Sequence, residues 1–132
     1  SEDMPYVARA EYTVRKLFDY ARERPDGLRV LIGHREGGHG SGRRLYAALE
    51  PRIAQRLRTN YAERGAAITA GADTLASLLL VICLDVAHRA LFVDGSDIDA
   101  ACDLATTAVL AVLRDVRPEQ LQAIEASLPD PG

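Results

Sequence analysis

The sequence predicts an all-α protein, a helical bundle of about five or six helices in a single domain spanning residues 1–132. Apolar residues recur at helical spacing through most of the chain. The central stretch, residues 66–116, consists of two apolar segments separated by a short polar break. The composition, 48% hydrophobic and 27% charged, is that of an ordinary folded chain.

The first predicted helix begins near Pro5 and ends before Pro25. Proline suits the first turn of a helix and stops a helix that reaches it. Between the two prolines, one face is apolar at three- and four-residue spacing: Val7, Ala10, Val14, Leu17, Phe18 and Ala21. The opposite face is charged, which indicates a helix buried on one side only.

Residues 28–33 are compatible with two structures. Alternate residues are apolar, as in a strand, but Leu28, Leu31 and Ile32 also share one side of a helical turn with Asp26 as its N-cap. Because no other segment offers a partner strand, and a lone strand leaves its backbone unpaired, we predict a short helix.

A glycine-rich loop, residues 37–42, precedes a third predicted helix over 43–64. Ser41 is placed to cap this helix. Its apolar residues recur every four positions: Leu45, Leu49, Ile53, Leu57 and Tyr61. Pro51 interrupts the pattern and predicts a kink or a restart near Glu50, because proline has no amide hydrogen to donate. Gly65 closes the segment.

Residues 66–94 and 97–116 predict two long helices joined by a tight turn. Gly95 can take the left-handed conformation that ends a helix, and Ser96 with Asp99 resembles a capping box. The second helix is apolar on more than one side, so we expect burial on more than one side. Pro118 starts one more short helix.

A chain of this length has little to cover both sides of that helix, so we expect a second copy to do so. The two long helices of each copy would then form an intermolecular four-helix bundle in a homodimer. The residues expected at the dimer interface are Ile98, Ala101, Leu104, Ala105, Ala108, Val109 and Val112.

Charge and targeting signals limit the partners. The net charge of −3 lacks the excess of positive charge typical of nucleic-acid binding. No signal peptide is visible and the longest apolar run is too short to cross a bilayer, so we expect a cytoplasmic protein with no membrane partner. Cys83 and Cys102 are in apolar helical context and are expected to be buried thiols.

Motifs for chemistry are weak. His34, His39 and His88 could supply the three protein ligands of a zinc site, but no spacing among them requires it. The glycine-rich loop lacks the lysine of a phosphate-binding P-loop. We expect no cofactor, no metal and no enzymatic activity, with a small helical metal protein or enzyme using these histidines as the alternative.

Four segments resemble the C-terminal domain of a TetR-family transcriptional regulator. They are LFDYARERP at 17–25, LRVL at 28–31, LYAALEPRIAQRL at 45–57, and the stretch from AHRALF at 87–92 through Leu113. The resemblance implies a ligand-sensing and dimerisation domain of a repressor, in which a small-molecule effector relieves DNA binding. The family binds DNA through an N-terminal helix-turn-helix domain that is absent from this sequence.

The resemblance also implies an effector pocket in the helical core. Because a kinked helix rarely packs flush along its length, we expect the pocket between the first helix, the helix with Pro51 and residues 66–94. The expected lining residues are Leu31, Tyr46, Leu49, Ile53, Leu79 and Ile82, with Arg52 and Arg56 as candidates for an anionic ligand. A pure dimerisation module without ligand is the other alternative.

Overall fold

The computed structural model describes residues 4–35 and 41–129, with the backbone alone at 4–5, 31–35 and 41–46. The described ranges contain six α-helices and no strand, which confirms the all-α prediction. The helices are α1 (Met4–Glu23), α2 (Pro25–Arg35), α3 (Ser41–Glu63), α4 (Ala70–His88), which runs on into a π-helix (Arg89–Asp94), α5 (Ile98–Asp115) and α6 (Pro118–Ser127).

The ambiguous segment is helical, as predicted, and forms the body of α2. The helix begins at Pro25, two residues earlier than a helix capped by Asp26 would, so Asp26 lies in its first turn instead of capping it. Its negative charge still suits the positive end of the helix dipole there. Leu28 is fully buried and anchors α2 to the core.

Helix α3 runs without interruption across Pro51, so the predicted restart near Glu50 is wrong. Proline removes the amide that would bond the carbonyl four residues back, which belongs to Ala47. Both Ala47 and Pro51 are exposed, so water can satisfy that carbonyl and the helix continues. Ser41, the predicted cap, is the first helical residue, and its side chain lies outside the described residues.

The helical hairpin is present with corrected boundaries. Helix α4 begins at Ala70, since residues 66–69 connect it to α3. Gly95 has φ 61° and ends the π-helix in the left-handed conformation, as predicted. The cap of α5 is Asp97 instead of Ser96, because its carboxylate accepts a hydrogen bond of 2.9 Å from the amide of Asp99.

Helix α4 is the centre of the core and packs against each of the other five helices. Its outer side is exposed at Leu78. The largest fully buried side chains of the core are Phe18, Leu28, Tyr61, Leu75 and Leu84, the last two from α4 itself. Cys83 and Cys102 are buried free thiols, as predicted. Burial raises the pKa of the Cys83 thiol to about 12.

The outer side of α4 and α5 exposes two large apolar side chains, beside acidic residues such as Asp85 and Asp103. Leu78 of α4 is 46% exposed and Leu104 of α5 is 64% exposed. Ile98, Ala101, Ala108 and Val112, also predicted at the dimer interface, are partly buried. Two of the predicted interface residues are not available to a partner, because Ala105 and Val109 lie inside the chain's own core at 0% and 4% exposure.

One described helical segment, Ala70–Asp94, is long and apolar enough to cross a membrane, judged by length and composition alone. This corrects the expectation that every apolar run is too short, because the mean hydropathy of the helix reaches 1.9 although it includes polar residues. Core helices of soluble proteins meet the same criterion. Only 39% of its most apolar stretch is buried within the chain.

Candidate ligand-binding cavity

A cavity of about 740 Å³ opens between α1, α3 and α4. Helices α1 and α3 both lie against α4 but pack little against each other within the described residues, and the space between them is the cavity. Helix α5 closes its inner end with Val109 and Leu113. Its volume is within the usual range for sites that bind small organic molecules.

The walls are mostly apolar. The positions on α1 fall at three- and four-residue spacing, so they lie along one face of that helix. Helix α4 contributes buried side chains to the wall opposite the solvent. The apolar lining residues are Ala10, Val14, Leu17, Ile53, Leu57, Leu79, Leu80, Cys83, Val109 and Leu113.

Tyr6 is a polar group in this apolar setting. It lines the cavity, and its hydroxyl is buried with no hydrogen-bond partner in the described part of the chain. Burial raises the pKa of Tyr6 to about 12, even though the positive charge of Arg64 acts in the opposite direction. The hydroxyl is therefore protonated at neutral pH and available to donate a hydrogen bond. Leaving it without a partner costs about 1–3 kcal/mol.

Asn60 is a second polar group on the same wall. It is 6% exposed and is the one buried residue among those described that is polar or charged. Its side chain lines the cavity. The amide can both donate and accept hydrogen bonds, so it could bind a polar group of a ligand in this space.

Positive charge predominates among the charged residues of the lining. Arg9, Arg52 and Arg56 line the cavity, against one acid, Glu63, in the part of the chain that the structure describes. This local excess occurs in a chain whose net charge is −3. Arg56 donates a hydrogen bond of 3.2 Å to the hydroxyl of Thr13 and so links α3 to α1 at the solvent side of the cavity.

The cavity includes part of the predicted set. Ile53, Leu79, Arg52 and Arg56 line it. Leu49 and Ile82 do not line it and are partly buried against the core. The side chains of Leu31 and Tyr46 lie outside the described residues. Binding of a ligand by any of these residues stays a prediction.

The predicted set does not include the polar lining residues of α1 and of the end of α3, Tyr6 and Asn60. Tyr6 continues the apolar stripe of α1 by one turn, and Asn60 lies two turns after Ile53 on the inner face of α3. The available signal was a polar residue on an otherwise apolar stripe. Such a residue indicates a binding site only when the helix opposite it is known, because the same stripe also predicts a helix that packs directly on its neighbour.

The predicted histidine site is not assembled by the described residues, which contain no group of three His, Cys, Asp or Glu side chains able to hold a metal. His88 packs against Phe92, with ring centroids 5.4 Å apart. His39 and the side chain of His34 lie outside the described residues, so the metal alternative stays a prediction.

Comparisons with models of known protein families, with curated proteins and with solved structures found no match. The interpretation of the cavity therefore depends on its own geometry, and the resemblance to TetR-family regulators stays a prediction.

Proposed function

We propose that this chain is the ligand-sensing and dimerisation domain of a TetR-like transcriptional repressor. The observation that carries the proposal is the cavity between α1, α3 and α4, with its apolar walls and the buried, unpartnered hydroxyl of Tyr6. A small-molecule effector in this cavity would relieve DNA binding by an N-terminal domain outside this chain. The proposal includes a cytoplasmic location and no catalysis.

In the proposed mechanism, the ligand changes the separation between α1 and α3, which both pack on α4. Both helices pack on α4, but little holds them to each other within the described residues, apart from contacts such as the Arg56–Thr13 hydrogen bond. A ligand that prefers one separation of α1 from α3 shifts the population toward that separation, in proportion to its differential affinity. Through α1, that shift would reach the DNA-binding domain.

The proposed partner on the outer face is a second copy of the chain. Support comes from the large apolar side chains that the fold leaves exposed on α4 and α5, Leu78 and Leu104. Exposed apolar surface of this kind on adjacent helices is typical of interaction sites. In a twofold dimer the same patch on each copy would be covered by the other.

A thermal-shift screen of small molecules tests ligand sensing. The matched variants are Ile53→Trp, which fills the cavity, and Ala47→Trp, which adds the same ring to an exposed position of α3 outside it. We expect compounds that raise the melting temperature of the unmodified chain and of Ala47→Trp, and lose this effect in Ile53→Trp.

If Ile53→Trp has a clearly lower melting temperature without any ligand and no compound stabilises the unmodified chain, the proposed ligand site is wrong. The domain would then be a pure dimerisation module. A chain that binds specific duplex DNA tightly by itself would contradict the assignment of DNA binding to another domain.

A further inference from the structure

We infer that the ligand of this cavity is an amphipathic organic acid, with an apolar body between α1, α3 and α4 and one carboxylate group against the hydroxyl of Tyr6. The inference depends on the proposed function, that the cavity binds a small molecule, and it names the chemical class of that molecule. Three features of the lining support it independently: the walls, the unpartnered donor and the sign of the nearby charge.

The walls determine the body of the ligand. The inner part of the cavity is formed by Leu79, Leu80 and Cys83 of α4 with Val109 and Leu113 of α5. None of these side chains can compensate a charge taken out of water. A hydrocarbon or aromatic body gains from contact with them, whereas a second charged group at that depth would be unpaired. The class is therefore restricted to molecules with a charge at one end.

The donor determines the position of the head group. The hydroxyl of Tyr6 is buried, has no partner among the described residues and is protonated at neutral pH. A carboxylate oxygen is an acceptor only, so it complements this donor without needing a proton of its own. Hydrogen bonds to a charged acceptor are stronger than those between neutral groups.

The sign of the charge favours an anion. Arg64 lies over the ring of Tyr6 at 5.4 Å from its centroid, and the charge of Arg9 also acts on this side chain. Arg9 also lines the cavity and has no ion pair within the described ranges. Near Tyr6, the guanidinium groups of Arg9 and Arg64 therefore outnumber the one acid of the described lining, Glu63, which favours an anion over a cation at this place.

Calorimetric titration with three molecules of equal chain length tests the class: decanoate, decan-1-ol and decylammonium. We expect decanoate to bind at least about tenfold more tightly than decan-1-ol and decylammonium not to bind measurably. Because Arg9 is exposed, the affinity for decanoate should fall as salt is added, while that for decan-1-ol should not.

Two pairs of variants locate the head group. Tyr6→Phe should weaken decanoate by about tenfold and change decan-1-ol by less than about twofold, since a hydrogen bond to a charged group is lost only for decanoate. Tyr20→Phe removes a hydroxyl from the same helix outside the cavity and should change neither. Arg9→Gln should weaken decanoate by about threefold, and Arg15→Gln, also on α1 but outside the lining, should not.

The outcomes separate the inference from the proposed function. If decan-1-ol or decylammonium binds as tightly as decanoate and Ile53→Trp blocks it, the cavity binds ligands but the acid class is wrong. The same holds if decanoate fails and the screen yields only neutral or cationic compounds blocked by Ile53→Trp. If neither these molecules nor any screened compound depends on Ile53, the proposed function itself is wrong.

Discussion

Glu125 of α6 accepts a hydrogen bond of 2.8 Å from the backbone amide of Gly71, in the first turn of α4. The same carboxylate oxygen also accepts from the amide of Thr69. A residue 54 positions later in the chain thus caps the central helix, whose own N-cap residue, Thr69, makes no side-chain capping bond. The cap holds α6 against the start of α4.

Glu125→Ala should lower the free energy of unfolding by about 0.5–2 kcal/mol, the usual range for loss of an N-terminal cap. Burial raises the pKa of Glu125, but the bonds from Thr69 and Gly71 outweigh it and the net pKa is lowered. A lowered pKa in the folded state means that the charged carboxylate stabilises the fold. This contribution is present above the unfolded pKa and is lost as the pH falls through the folded value.

Urea unfolding measures this contribution to the free energy of unfolding. The titration runs from neutral pH to below about 4.3, the ordinary pKa of glutamate. The difference between the unmodified chain and Glu125→Ala should shrink as the pH falls. Glu23→Gln, on the exposed end of α1, is the control and should change little. A difference that stays constant with pH would mean that the charge of Glu125 has no part in the cap.

Two tyrosines provide a matched pair for the energetics of the cavity. The hydroxyl of Tyr61 donates a hydrogen bond of 3.0 Å to the carbonyl of Val116, whereas that of Tyr6 has no partner in the described residues. In the absence of ligand, Tyr61→Phe should cost about 1 kcal/mol, and Tyr6→Phe should leave stability unchanged or raise it by up to about 3 kcal/mol.

Urea unfolding of both variants measures this contrast. A loss of stability in Tyr6→Phe equal to that in Tyr61→Phe would show that the Tyr6 hydroxyl is bonded in the free protein. If Tyr6→Phe keeps its stability but binds decanoate more weakly, Tyr6 serves binding and not folding. Such residues are common in ligand sites, which often reduce the stability of the free protein.

Leu104→Glu should convert the proposed dimer into a monomer. Leu104 is 64% exposed in the single chain, so the change costs the monomer little, but in the proposed dimer it would place an unpaired charge in an apolar interface. Sedimentation velocity at micromolar concentration measures the mass. Leu128→Glu, at an exposed leucine beyond the end of α6, is the control and should stay dimeric.

A monomeric unmodified chain would contradict the proposed dimer. In that case, flotation with lipid vesicles distinguishes the other occupant of the same face. Binding to vesicles that is lost in Leu104→Glu and kept in Leu128→Glu would assign the apolar face to a membrane surface.

Cys83 should resist alkylation at neutral pH. Its thiol is buried and its pKa is raised to about 12, so the reactive thiolate is scarce and shielded. Burial also raises the pKa of Cys102. Mass spectrometry after iodoacetamide treatment should find both cysteines unmodified in the folded chain and both modified in urea. Rapid labelling of the folded chain would show that α4 and α5 separate readily.

The helices could be predicted because local residues determine their ends. Pro25 and Pro118 restrict the backbone on their own, and Gly95 supplies the left-handed turn, whatever the rest of the chain does. The choice between Ser96 and Asp97 as the cap was less predictable. Both side chains can accept from a nearby amide, and the turn geometry decides which one does.

The cavity was harder to predict because its cause is not local. A kink at Pro51 predicts a gap beside it, but Pro51 itself does not line the cavity. The space exists because α1 and α3 each pack on α4 while remaining apart from each other, a relation between three separate segments. The lining is consequently shifted from Leu49 to the later turns of α3, where Arg56 and Asn60 lie.

The π-helix at Arg89–Asp94 fixes the direction in which the chain leaves α4. A π-helical turn accommodates one residue more than an α-helical turn, and each α-helical residue advances the chain by about 100° around the axis. Deleting one residue from this segment would therefore restore α-helical register and rotate the following turn by roughly that angle. The segment acts as a one-residue insertion that sets the side of α4 on which α5 returns.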